Sequence, residues 1–464
     1  MTSARARPES SEGKSAPRPV PRLSLGENLT GLRKMRHDQI SFLVRSVNDH
    51  GDIFRMRLGG LPAVMVNHPD YLQRVLVDNH QNYDKGNFLY DAARTVMRDG
   101  LLANTGGESW RVHRKIMSPS FTRSSVSRFT HNISDLTSVL LRQWETNARE
   151  GTLVEVTTDV ANLALRIVLR TLFGVDADDR GRQFERDFLE VNAIVGKFFR
   201  FPFPPLSWKS PMRNRLRVLL ADMDAYIEYL IDERMAKQSD DPDLFTLLLN
   251  AVDEETGTGL THRQLANEVL STIIGGYETT SNTIAWIFHQ LAVNPDMQAR
   301  VHDEVDGVLG GRVPTFEDLP KLPYTRMVID ETLRLFTPGW QTMRRAVEED
   351  VIGDYRIPKG TNIYLNLFTF HRHPEFWPDP YRFDPERFTP EEIAKRPRNV
   401  YLPFSSGPRH CIGKHFALAE LHIITTMLAQ TFHVTRPAEL PPVGFEPLLT
   451  LHPKGGIQLL LQRR

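Results

Sequence analysis

Phe404-Ser405-Ser406-Gly407-Pro408-Arg409-His410-Cys411-Ile412-Gly413 contains the only cysteine of the 464-residue chain. One thiol forms no intramolecular disulfide, so a disulfide framework is excluded and a reducing cytoplasm suits the chain. A solitary cysteine is commonly a small buried core residue. Its neighbours here argue for chemistry instead. Gly407 and Gly413 bracket it, and glycine lets the backbone approach a neighbour closely or take unusual dihedrals. A helical run from about Lys414 to Phe432 begins just beyond it. N–H groups at a helix start favour an anion, so the thiolate, the metal-binding form, is expected to be stabilised. Zinc is disfavoured because its usual partner thiols do not exist in this chain.

Outward from this stretch, Pro and Gly crowd residues 374–413, too densely for regular helix. Val351–Tyr364 is strand-like, and helical periodicity dominates from about residue 69 to 340. Ile53–Val66 places apolar runs around Gly59-Gly60 and reads as a β-hairpin. Short strands return near the C-terminus. Residues 1–22 mix Arg5, Arg7, Lys14, Arg18 and Arg22 with Ser, Pro and two Glu, and hold no apolar run. A spanning helix needs about 20 mostly apolar residues. Glu9, Glu12 and the prolines also argue against an organellar transit peptide. The expected organisation is a disordered N-terminal tail over 1–25 and a single domain over 26–464, mainly α with a minor β portion. Lys plus Arg and Asp plus Glu number 57 each, so no net basic field for nucleic acid or an anionic membrane exists. Phe198–Trp208, rich in aromatics and prolines, suits an apolar lid or an ordinary packed loop equally well.

Three further stretches stand out. Glu331 and Arg334, three apart in a helical run that stops before Pro338, share a helix face and can pair. Trp110 and Arg114, four apart, also share a face. Thr261–Gln290 reads as a long helix opened by a capping box of Thr261 with Gln264. It carries Gly275-Gly276-Tyr277-Glu278-Thr279-Thr280, and two interior glycines cost about 1 kcal/mol each relative to alanine. They serve either close helix packing or a local opening. Thr279 can return a hydrogen bond to the Gly275 carbonyl one turn earlier.

Together these stretches resemble the cytochrome P450 family. The cysteine segment is similar to its haem-binding loop, F-x-x-G-x-R-x-C-x-G, with Ala417 at the small position that follows. Glu331-Thr332-Leu333-Arg334 resembles E-x-x-R, and Phe383–Phe388 the P-E-R-F segment that contains Arg387. Trp110–Arg114 resembles W-x-x-x-R, and Gly275–Thr280 the oxygen-binding pattern A/G-G-x-D/E-T-T/S.

The resemblance implies the cytochrome P450 fold around heme b, iron protoporphyrin IX, with Cys411 as proximal ligand to the iron. It places Phe404, Gly413, Trp110, Arg114, Arg344 and Arg409 at the cofactor, the arginines toward the two propionates. Glu331, Arg334 and Arg387 would form a buried network holding the cysteine loop. Glu278 and Thr279 would relay protons during reduction of dioxygen. Ile274, Gly275, Trp340, Met343 and Leu449 would line an apolar pocket for a hydrophobic small molecule such as a terpenoid, fatty acyl chain or polyketide, and the reaction would be hydroxylation in secondary metabolism.

Electrons would come from NAD(P)H through a separate ferredoxin or flavodoxin with its reductase, since the chain has no G-x-G-x-x-G segment. Arg409, His410 and Lys414 would offer that partner a basic face. A cytoplasmic monomer without a transmembrane segment is expected. The rival functions are a haem-binding sensor or carrier without catalysis, and a catalyst using peroxide without external electrons. The Glu278-Thr279 pair argues against both.

Overall fold

Thr261 opens the longest helix of the described residues, His262–Val293. Its side chain accepts from the Gln264 N–H and the Gln264 side chain accepts in return from the Thr261 N–H, closing the expected capping box. Apolar side chains are buried on every side, among them Leu265, Val269, Ile273, Ile284 and Trp286. A helix apolar all round runs through a core rather than over its surface. Helix Val156–Leu172 packs along it, and Pro295 begins the next helix as soon as it ends. The computed structural model describes residues 16–464 apart from 59, 177, 201–209, 237–242, 252–256 and 258.

The expected hairpin is Ile53–Leu58 paired with Leu61–Val66, in register Ile53 with Val66. Gly60, at φ +91°, supplies the left-handed turn residue. The sheet continues with Asn362–Asn366, parallel to Leu61–Val66, then Gln341–Ala346 and Tyr83–Asp84, both antiparallel. The cysteine lies just before helix Lys414–Thr431, which is buried along most of its length. Beyond it, Phe432–Thr435 pairs with Gln458–Arg463, and Gly444–Pro447 pairs with Leu451–Lys454. The chain is thus mainly α with a minor β portion.

Residues 16–25, expected to belong to a disordered tail, are held in place. Arg18–Pro19 pairs in parallel with Tyr355–Arg356, and Ser24 caps helix Leu25–His37. Val20 and Leu23 are buried. Two apolar anchors and a backbone ladder order residues whose charge and proline content suggested none. Residues 1–15 lie outside the described residues, as does the Phe198–Trp208 segment beyond the end of helix Asp179–Arg200.

Candidate active site

Gly407 decides how the cysteine loop turns. It sits at φ +70°, and a Cβ there would stand 1.9 Å from the Leu76 carbonyl oxygen. Both the conformation and the close backbone approach require glycine. The loop then closes on itself: the His410 N–H donates to the Gly407 carbonyl at 3.1 Å and the Cys411 N–H to the Phe404 carbonyl at 2.9 Å. Gly413 precedes helix Lys414–Thr431 and its N–H bonds the Cys411 sulfur.

Cys411 is accessible, yet burial pushes its thiol up, and the Gly413 N–H, Arg114 and Lys414 only partly offset this. The expected stabilisation of a free thiolate by the helix start is therefore outweighed, because desolvation penalises the anion. Coordination to a metal removes the proton outright. Among the described residues no cluster of three or more His, Cys, Asp or Glu could hold a metal ion. A lone thiolate suits iron whose in-plane ligands come from a porphyrin.

The expected Glu331–Arg334 pair forms in the interior. Both side chains are fully buried, and the guanidinium donates to both carboxylate oxygens at 2.7 Å. Arg334 also donates to the carbonyls of His371, Pro380 and Arg382. Glu331 accepts from the Asp384 N–H, and Arg387 stands 3.5 Å away. Sequence reasoning missed the next link. His371 Nε2 accepts from the Leu402 N–H at 2.9 Å, just ahead of the cysteine loop. Burial pushes the ring's pKa down to about 3, so it stays neutral and keeps that acceptor.

A set of cations gathers around the loop. Arg114 donates to the His410 carbonyl at 3.0 Å and to His410 Nε2 at 3.2 Å. Arg409 donates to the carbonyls of Asn104 and Thr105 and lies 4.6 Å over the Trp110 ring. Burial, then Arg344, pull its pKa down to about 10. Arg344 is buried and donates to Thr342 Oγ1 and the Met343 carbonyl.

Lys85 and Tyr90 complete the set, and neither was expected at the cofactor. The Lys85 ammonium donates to the Leu102 carbonyl at 2.6 Å and lies 4.5 Å over the Tyr90 ring. Burial lowers its pKa to about 8. For Tyr90 burial acts upward, but Lys85 and Arg344 outweigh it and bring the phenol to about 7. Among the described residues no Asp or Glu forms an ion pair with Lys85, Arg344 or Arg409. Buried cations need anionic partners, and the two carboxylates of a haem fit this donor set.

The long helix separates its two glycines by role. A Cβ on Gly276 would stand 2.8 Å from Val168 Cγ2, so this glycine serves close packing against helix Val156–Leu172. A Cβ on Gly275 would meet nothing within 4 Å. The Thr279 hydroxyl donates to the Gly275 carbonyl at 2.9 Å, as expected. The helix runs unbroken, so the opening is a missing side chain rather than a break.

Glu278 and Thr279 face different partners. The Glu278 carboxylate accepts from Asn192, Thr450 and His452, none of which was expected as its partner. Ile274 and Leu449 belong to the central apolar cluster. Trp340 and Met343 are buried in a neighbouring one with Tyr364 and Leu451, and the Trp340 indole donates to the Leu448 carbonyl.

Comparison with known proteins agrees with this arrangement. The family model described as Cytochrome P450 matches residues 17–460. The chain is similar to the cyclooctat-9-en-7-ol 5-monooxygenase of Streptomyces melanosporofaciens, 33% identical over 84% of each chain. It is also similar to the pentalenene oxygenase of Streptomyces avermitilis, 30% identical over 90% of this chain and 92% of that one. The crystal structure of the cytochrome P450 CYP102L1 superposes with a TM-score of 0.85 at 28% identity, covering 97% of this chain and all of that one. The chain therefore belongs to the cytochrome P450 family and has its fold. It is a cytochrome P450 monooxygenase. No helix of the described residues is long and apolar enough to cross a membrane.

Proposed function

We propose that this monooxygenase hydroxylates a cyclic terpenoid, using dioxygen and electrons that originate from NAD(P)H. The names of its relatives supply the substrate class: cyclooctat-9-en-7-ol and pentalenene are the substrates those names state. The observation that carries the reading into this chain is the open side of Gly275, next to the apolar Ile274. An apolar lining with few polar groups suits a hydrocarbon.

Cys411 would hold the haem iron, while Lys85, Tyr90, Arg344 and Arg409 would hold its carboxylates, with Trp110 and Arg114 beside them. Phe404 and Gly413 would flank the sulfur. When bound, a thiolate-ligated haem supplies the oxidising chemistry, because the sulfur pushes electron density that favours O–O cleavage. The chain supplies the rest. The Glu331–Arg334–His371 chain of contacts fixes the cysteine loop. Ile274, Trp340, Met343 and Leu449 shape the apolar wall and exclude water. Glu278 and Thr279 hold and move the protons that the reduction of dioxygen consumes.

A ferredoxin or flavodoxin with its reductase would deliver electrons at the face bearing Arg409, His410 and Lys414. Lys414→Glu should slow electron uptake from ferredoxin, and an unchanged rate would remove this face from the account. A cytoplasmic monomer completes the proposal. The deciding experiment presents cyclic terpene hydrocarbons and alcohols, straight fatty acids and macrolide precursors to the holoenzyme. Binding-induced spin-state shifts and products one oxygen heavier should appear with the cyclic terpenes. Turnover of fatty acids alone would overturn the substrate class.

A further inference from the structure

The Glu278 carboxyl is held in a cage built by two other parts of the chain. Its Oε1 accepts from Asn192 Nδ2 at 2.5 Å, Thr450 Oγ1 at 2.8 Å and His452 Nε2 at 2.7 Å. The donors are themselves oriented. Asn282 Nδ2 donates to Thr450 Oγ1 at 3.2 Å, which leaves the Thr450 proton for the carboxylate. The Leu449 N–H donates to Asn192 Oδ1 at 3.1 Å, which turns the amide nitrogen toward Glu278.

The two carboxylate oxygens are unequal. Oε1 takes three hydrogen bonds, whereas Oε2 is buried with no partner. Exposure also falls along the pair, from 12% for the His452 side chain to 3% for Glu278. A proton path needs this order: a titratable ring nearer solvent, an acid inside, and a free oxygen beyond. Histidine is the side chain that ordinarily exchanges protons near neutral pH.

We propose that His452 is the entry point for protons that Glu278 passes inward. The idea rests on the reading of Glu278 and Thr279 as the relay. His452 acts through Glu278 and is a positioning residue rather than a catalytic one. From the imidazolium, the Nε2–H bond breaks and an O–H bond forms at Oε1, leaving a neutral imidazole and a neutral acid. Rotation about the Glu278 Cγ–Cδ bond exchanges the two oxygens and carries the proton into the buried, partner-free Oε2 position. Once the proton leaves, the carboxylate is restored and the ring takes another from water.

Other charged and titratable groups adjoin the pair. Tyr277 of the long helix interacts electrostatically with Glu278 and also with Glu185, which comes from helix Asp179–Arg200. Glu446 stands directly across the hairpin from His452, and Lys454 follows two residues later on the same strand. Burial raises the Glu185 carboxyl to about 7, which makes it the rival entry point.

The test uses the holoenzyme with a plant-type ferredoxin, its reductase and NADPH, following NADPH oxidation, dioxygen uptake and peroxide from about pH 6 to 8. His452→Gln keeps an N–H donor to Oε1 but cannot shuttle a proton. It should leave haem content and the spectrum of the reduced, carbon-monoxide-bound protein unchanged. It should flatten the pH profile, divert reducing equivalents to peroxide and slow reduction of dioxygen to water about tenfold or more, within the usual range for proton delivery. His452→Arg, which keeps the charge, should behave alike. A wild-type profile in His452→Gln with an impaired Glu278→Gln overturns this inference alone. A wild-type Glu278→Gln overturns the relay reading beneath it. Loss of the pH dependence in Glu185→Gln, with His452→Gln normal, moves the entry point to Glu185 and also overturns it.

Discussion

Replacing Gly275 and Gly276 one at a time by alanine should move stability in opposite directions, although the two are neighbours in one helix. Each substitution gains about 0.8–1 kcal/mol of helix propensity. At Gly275 nothing lies within 4 Å of the new methyl, so the gain should survive. At Gly276 the methyl would press to 2.8 Å from Val168 Cγ2, and overpacking of a tight contact costs about 1–3 kcal/mol. Gly276→Ala should therefore be destabilised by about 0–2 kcal/mol, and the two variants should differ by about 1–3 kcal/mol. Urea denaturation of the holoproteins at matched haem content measures this. Function should run the other way. The Gly275→Ala methyl enters the open space beside Ile274, and one methylene in a binding pocket alters turnover by roughly 10- to 200-fold. Val168→Ala should rescue Gly276→Ala, giving a favourable coupling energy in a double-mutant cycle. Equal destabilisation of the two glycine variants, or no rescue by Val168→Ala, would refute the division of roles.

Arg334→Ala strands the buried Glu331 carboxylate and three backbone carbonyls. It should cost about 3–5 kcal/mol and yield protein poor in haem by its absorbance ratio. Gly407→Ala places a Cβ into the Leu76 carbonyl at φ +70°. Its purified form should show the reduced carbon-monoxide spectrum of a displaced thiolate, and a normal spectrum would show that the loop can shift at no cost. Lys85→Met removes one buried cation and should speed haem transfer to apomyoglobin, whereas Tyr90→Phe should do so less. Glu420 is buried in the helix after the cysteine, and burial raises its carboxyl well above the usual range, with Thr280 offsetting only part. A raised folded-state pKa means the group favours folding most in acid and progressively less as pH climbs above about 4.5. Glu420→Gln should remove that slope, so its stability relative to the parent should improve with rising pH in denaturant titrations; parallel curves would count against a buried neutral acid.

What the sequence revealed and what it hid divide along a physical line. The capping box at Thr261, the pairing of Glu331 with Arg334 and the bond from Thr279 to Gly275 all depend on residues three or four apart, and helix geometry fixes those contacts wherever the helix ends up. The cysteine loop was legible for a related reason, because its glycines and arginine are contiguous. The sequence could not disclose burial. Lys85 and His452 look like ordinary surface residues until other parts of the chain enclose them: Leu102, Tyr90 and Arg344 for the lysine, Asn192 and Glu278 for the histidine. Even the two adjacent glycines gave no hint of which one packs and which one opens, since Val168 decides that from another helix. The same limit applies to residues 16–25, where the burial of Val20 and Leu23 outweighs the surrounding charge once a strand is there to receive them. Enclosed polar groups cost free energy unless something pairs with them, so those with incomplete pairing point to function. By that criterion Lys85, Arg344 and Arg409 are the residues proposed to meet an anion, and the partner-free oxygen of Glu278 is the proposed point of proton release.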